Sequence, residues 1–94
     1  MKYLHLHVKS KYFDEIASGE KPEEYRLFKK YWFARLMFRK HYRGIIIYRA
    51  YPKKTEYSSS NRLERVWRGW TIKDIIHPEF GDKPVTVFAI RVNG

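Results

Sequence analysis

The chain contains no cysteine. Disulfides, thiolate zinc sites, iron–sulfur clusters and thiol nucleophiles are excluded at once, and the absence fits a reducing compartment. Long apolar runs are missing as well. The longest, Gly44-Ile45-Ile46-Ile47-Tyr48, falls far short of the ~20 residues that span a bilayer. Met1 to Val8 has two histidines and a lysine but neither an apolar h-region nor a small-residue cleavage site, so it does not read as a signal peptide. The five glycines are scattered and match neither the P-loop nor the dinucleotide fingerprint. Acidic residues are absent from one long stretch, 27–54, although ten occur elsewhere. These absences and the short length point to a soluble, cytoplasmic protein forming one domain over residues 1–94, with no cofactor expected.

What the chain does have is aromatic and basic. Aromatic residues make up 18% of its 94 positions, enough to build a core in a domain that buries only roughly 60–65% of its unfolded surface. Twenty Lys and Arg against ten Asp and Glu give a net charge of +10. Residues 1–26 are balanced and 55–94 nearly so. Nine of the ten excess charges are therefore Lys29, Lys30, Arg35, Arg39, Lys40, Arg43, Arg49, Lys53 and Lys54. Nine like charges repel one another, and a polyanion relieves that repulsion while releasing its counterions. The stretch reads as a nucleic-acid surface, joined by Arg68, with cations on phosphates and exposed rings such as Tyr31 for stacking. The plainer reading is a solubilising face over an aromatic core. An anionic membrane fits less well, because 29–43 lacks a clean apolar stripe.

Periodicity supplies the elements. Lys2 to Val8 alternates, with Leu4, Leu6 and Val8 on one face and Tyr3, His5 and His7 on the other, as in a half-buried strand. Ser10 is placed to cap a helix over Lys11 to Ser18, with Tyr12, Phe13, Ile16 and Ala17 as its stripe and Gly19 at its stop. Lys21 to Leu27 reads as a strand, Tyr31 to Phe38 as a short helix, and Arg43 to Tyr51 as a buried strand ending at Pro52. Residues 53–61 form a loop. Arg62 to Trp70 reads as irregular or extended, Trp70 to Ile76 as a strand, His77 to Asp82 as a turn, and Val85 to Val92 as a last strand. About five strands and two short helices indicate an α+β domain with a small, curved, barrel-like sheet.

One run carries more than composition: Ser18-Gly19-Glu20-Lys21-Pro22-Glu23-Glu24-Tyr25-Arg26, after a helix bearing Tyr12-Phe13-Asp14-Glu15-Ile16. It resembles the ASCH domain, a branch of the PUA-like superfamily, whose pattern is Gly-x-Lys-x-x-Glu-x-Arg. Gly19, Lys21, Glu24 and Arg26 fill its four positions. Tyr31-Trp32, Arg35-Leu36, Gly69, His77-Pro78, Phe80-Gly81 and Val87-Phe88-Ala89-Ile90 are also similar to members, so the resemblance covers nearly the whole chain. It implies a small PUA-like β-barrel with a cleft between barrel and helices that takes RNA or modified nucleosides, without a metal.

The spacing has its own physical content. Gly19 permits a positive φ as the chain leaves the helix. Glu24 and Arg26 share one face of an extended strand, and Lys21 has the opposite parity. Lys21 joins them only if the turn re-aims it. The result is a carboxylate between two cations, able to accept from a base edge through Glu24 and to grip phosphate through Arg26 or Lys21. The alternative is a structural ion-pair cluster pinning helix to sheet.

The resemblance also admits catalysis. One ASCH branch hydrolyses acetylated cytidine with a Lys-x-x-Thr motif, but Glu24 stands where its threonine nucleophile would be. A metal-independent ribonuclease would use Lys21 as cation, Glu24 as base and Tyr25 or Tyr31 as acid. Binding of single-stranded RNA or a modified nucleotide is the primary expectation, a small RNA-processing hydrolase the alternative, and an acidic protein partner for the basic face the third. His5 and His7 have a spacing that suits two metal ligands, yet nothing in the sequence places a third. They read as rings facing cleft or solvent. Trp67 and Trp70, beside Gly69, read as core and rim.

Overall fold

The computed structural model describes residues 2–39, 41–50 and 61–94. Six strands form two three-stranded sheets beside two short helices, an α+β architecture with one strand more than the sequence pattern indicates. The order is β1 (Tyr3–Val8), α1 (Ser10–Ser18), β2 (Glu23–Leu27), α2 (Lys30–Trp32), a π-helical turn (Phe33–Met37) continuing α2, β3 (Gly44–Arg49), β4 (Arg62–Val66), β5 (Trp70–Ile75), a 3₁₀ turn (Pro78–Phe80) and β6 (Val85–Arg91).

In the first sheet β3 is central, parallel to β1 and antiparallel to β4. That position explains the isoleucine run: Ile45, Ile46 and Ile47 are all buried, whereas the flanking β1 alternates. In the second sheet β6 is central between β2 and β5, both antiparallel to it. Leu4, Leu6 and Val8 from β1, Ile45 and Ile47 from β3, and Phe88, Ile90 and Val92 from the β6 region meet in one core cluster. Phe13 and Ile16 of α1 and Leu36 of the π-helical turn complete it. Both expected tryptophans pack on this core: Trp70 meets Phe88 edge-on at 5.0 Å, and Trp67 meets Tyr42 at 5.0 Å.

Several boundaries differ from the sequence pattern for local reasons. Lys9, not Ser10, occupies the N-cap of α1 and offers no side-chain cap; the Ser10 hydroxyl instead accepts from Arg49 of β3. Ala17 is exposed, because a helix of nine residues turns only Phe13 and Ile16 fully inward. The second strand begins at Glu23 rather than Lys21, although the Pro22 carbonyl still accepts from Val92 N–H at 2.8 Å. The expected helix over 31–38 starts one residue early and widens: Phe38 N–H reaches back five residues to the Phe33 carbonyl. Arg62–Val66 is a regular strand because β3 offers it a ladder, and Gly69, at φ +79°, ends that extended run. Tyr51 and residues 53–60 of the expected loop lie outside the described residues.

Gly44 marks where β3 is most tightly held. A Cβ there would stand 2.9 Å from the Arg65 carbonyl oxygen and 2.9 Å from the Tyr3 ring. The oxygen belongs to the β4 backbone and cannot retreat without disturbing the ladder. Gly44→Ala is expected to destabilise the fold by about 1–3 kcal/mol, read as a lower denaturant midpoint; an unchanged midpoint would mean that β4 shifts freely.

Candidate ligand cleft

The site begins where α1 stops. Gly19 adopts φ +90°, and its N–H closes the helix on the Ile16 carbonyl at 3.2 Å. The chain folds back so that Lys21 N–H donates to the Glu15 carbonyl at 3.0 Å. This turn carries the Lys21 side chain across its strand parity to the face that Glu24 and Arg26 share. Lys21 Nζ lies 3.5 Å from Glu24 Oε1, and Arg26 Nη2 lies 2.9 Å from Glu24 Oε2. The carboxylate is 9% exposed, and its Oε1 also accepts from Tyr25 N–H at 3.2 Å. Two of the roughly four acceptor positions of the carboxylate are thus hydrogen-bonded, to the Tyr25 amide and Arg26, and Lys21 adds an ion pair.

Aromatic faces hold both cations. The Lys21 ammonium sits 4.5 Å from the Tyr25 ring centre and 5.2 Å from that of Tyr12. The Arg26 guanidinium lies 5.2 Å over Trp32 and donates to the His7 carbonyl at 2.9 Å. The group opens into a cleft of about 570 Å³. Its lining also takes in His7 and Val8 of β1, the following Lys9, Tyr12 of α1, Tyr25 of β2, Tyr48 and Arg49 of β3, and His77, Glu79 and Phe80 at the 3₁₀ turn. Four Lys and Arg line it against two carboxylates.

Long-range pairs frame the mouth. Lys9 Nζ reaches both oxygens of Glu79 at 2.9 Å, and the Tyr12 hydroxyl donates to Glu79 Oε1 at 3.2 Å. The hydrogen bond from Lys9 holds the Glu79 carboxyl below its ordinary range, and the same bond raises Lys9. Glu79 N–H donates to His77 Nδ1 at 3.2 Å, which leaves Nε2 to carry the proton when the ring is neutral. Arg49 Nη2 pairs with Asp14 Oδ1 at 2.9 Å, and Arg49 Nε donates to Asn61 Oδ1 at 2.8 Å. Burial, then the nearby Glu23, raises the Tyr25 phenol, so it keeps its proton at neutral pH and can donate but not act as a base. Burial likewise raises Tyr12.

The basic stretch does not form one wall. Arg49 enters the cleft, whereas Lys30, Tyr31, Arg35 and Arg39 line a separate groove of about 820 Å³ together with Lys2, Tyr3 and His5. Lys29, Arg43 and Arg68 line neither cavity. Arg43 lies beside the Tyr3 ring at 6.0 Å, and Arg68 Nε donates to the Asn93 carbonyl at 3.2 Å. Lys40, Lys53 and Lys54 lie outside the described residues. His7 faces the cleft while His5 faces the groove. Sequence reading did not place Lys9, Tyr12, Tyr48, His77, Glu79 or Phe80 at the site. The only trace of the last three was the His77-Pro78-Glu79-Phe80 run. Among the described residues no three potential metal ligands come together, and no helix is long and apolar enough to cross a membrane.

Fold and site define a small α+β domain in which a buried carboxylate holds two cations at the floor of an aromatic-walled cleft. Comparison with protein-family models, curated proteins and solved structures matches the chain to none of them.

Removing the carboxylate leaves two cations facing each other out of water. Glu24→Ala is therefore expected to lower stability by about 3–5 kcal/mol, with Glu24→Gln less damaging, as read by urea denaturation. The Lys9–Glu79 pair gives a pH dependence. Glu79 is depressed on folding, so its contribution is present above the ordinary carboxylate value of 4.5 and lost as pH falls through the lower folded value. Lys9 is raised, so its contribution is present below 10.5 and lost as pH rises through the higher folded value. The difference in melting temperature between wild type and Glu79→Gln is expected near neutrality and should vanish in strong acid and strong alkali.

Proposed function

We propose that the chain is an RNA- or nucleotide-binding domain of the ASCH, PUA-like type, its two sheets the halves of that fold's small barrel. The observation that carries this reading is the convergence of Lys21, Glu24 and Arg26 in one cleft, despite the opposite strand parity of the lysine. A cavity of about 570 Å³ suits a nucleotide, and the rings of Tyr12, Tyr25, Tyr48 and His77 offer faces to a base. An acceptor position of Glu24 left open by its two hydrogen bonds is available to an exocyclic amine, and Lys21 and Arg49 are within the cleft to meet phosphate. The basic groove beside it supports a backbone contact. A cysteine-free chain suits work in the reducing cytoplasm.

Binding is favoured over hydrolysis by the same geometry. A general base must be free to take a proton, and Glu24 already accepts from Arg26 and the Tyr25 amide and is paired with Lys21.

Filter binding to single-stranded RNA tests the reading. Affinity is expected to fall steeply between ~50 and 200 mM salt, as it does when six or more phosphates are contacted. Lys21→Ala, which removes a charged donor, is expected to weaken binding by about 10- to 100-fold. A flat titration, or no binding at low salt, removes the proposal; cleaved RNA that depends on Lys21 and Glu24 replaces it with the hydrolase.

A further inference from the structure

Strand β1 lines both the cleft, through His7 and Val8, and the basic groove, through Tyr3, Leu4 and His5. His5 and His7 project from the exposed face of β1, His5 into the groove and His7 into the cleft. Two residues apart on a strand, they stand about 7 Å from each other. Tyr48, the register partner of His7 on β3, lies nearly parallel to both. Its ring centre is 4.9 Å from that of His7 at 18°, and 5.8 Å from that of His5 at 13°. The His5 Nδ1 and the Tyr48 hydroxyl are 3.1 Å apart, which fixes the two rings relative to each other. Both histidines are exposed, so these planes are not occupied by core packing.

Among the described residues, no carboxylate lines the groove on the far side. Its cations are Lys2, Lys30, Arg35 and Arg39. Tyr31 stands 58% exposed among them, with the Arg35 guanidinium 4.3 Å from its ring centre. Cations alternating with open rings, leading over a stacked ridge into a second aromatic cavity, match a chain that carries both phosphates and planar bases. An acidic peptide would satisfy the cations but leave the rings unused.

We propose that the cleft is the end of a longer path: a single strand of RNA lays its phosphates along the Lys2–Lys30–Arg35–Arg39 groove, stacks over the His5–Tyr48–His7 ridge, and delivers its next base into the cleft. This inference rests on the cleft being a nucleotide site and adds that the ligand is an oligonucleotide, with length dependence set outside the cleft. His5 and Tyr31 contact the strand without touching the base in the cleft.

The test compares uridine monophosphate, measured by calorimetry, with oligouridylates of roughly four to twelve nucleotides, measured by fluorescence anisotropy. The proteins are wild type, the double variant Lys30→Ala/Tyr31→Ala, whose residues line only the groove, and Arg35→Gln, each checked for an unchanged melting temperature. Oligomers are expected to bind far more tightly than the mononucleotide. The double variant should weaken oligomers about tenfold or more and leave the mononucleotide untouched. Arg35→Gln should reduce the slope of log affinity against log salt by about 0.7. The path is overturned if the mononucleotide binds and oligomers bind no better, or if the double variant loses nothing; the cleft reading then survives. It is equally overturned if polyglutamate binds as well as RNA, which would make the groove a surface for any polyanion. Failure of mononucleotide and oligomers alike takes the cleft reading down with the path.

Discussion

A carboxylate removed from water between two cations is the constraint on which the rest of this structure depends. Glu24 does not contribute mainly by adding stability, since the desolvation of three charges offsets most of their attraction. It contributes direction. Without the anion, Lys21 and Arg26 would face each other uncompensated and repel. With it, they are held against the faces of Tyr25, Tyr12 and Trp32. The same group ties together four parts of the chain: the turn after α1, strand β2, the His7 carbonyl at the end of β1, and helix α2 through Trp32. A shift in any one of them is felt at the floor of the cleft.

Around that floor, weaker pairs define the walls. Lys9–Glu79, Arg49–Asp14 and Lys73–Glu23 each join segments far apart in the chain, and each has one partner well exposed. Exposed pairs of this kind are individually worth little. Their effect is geometric, because two of them bridge elements that would otherwise leave the mouth of the cleft open. Glu79 takes both Lys9 and Tyr12, so the 3₁₀ turn is anchored to β1 and α1 at one point.

The positive charge is partitioned by the path of the chain. Helix α2 and its π-helical continuation carry Lys30, Arg35 and the adjacent Arg39 to one side of β1, and β3 carries Arg49 to the other. A stretch that is uniform in sequence thus becomes a groove whose described lining holds no counter-charge and a cleft with internal ion pairs. The exposed face of β1 is the boundary. Its histidines, stacked with Tyr48, make that boundary aromatic.

What could be read from the residues in order was what local physics decides. Alternation in β1 sorted Leu4, Leu6 and Val8 from the two histidines; a glycine after an amphipathic turn marked the end of α1; strand parity put Glu24 and Arg26 together. The ASCH-like pattern picked out the run whose Lys21, Glu24 and Arg26 meet in the structure, whereas β4, whose residues read as irregular or extended, forms a regular strand because β3 presents an open ladder. The widened turn after α2, the capture of Ser10 by Arg49, and the burial of only part of the α1 stripe are likewise decided by neighbours distant in sequence. The amino-acid order by itself determined periods, parities and backbone permissions, because each depends on a few adjacent residues. Only the tertiary structure decided that Lys21 closes on Glu24, that residues 70 apart meet at the mouth, and that one basic stretch serves two cavities, because those outcomes depend on how the strands pair and where their side chains are then left to find counter-charges.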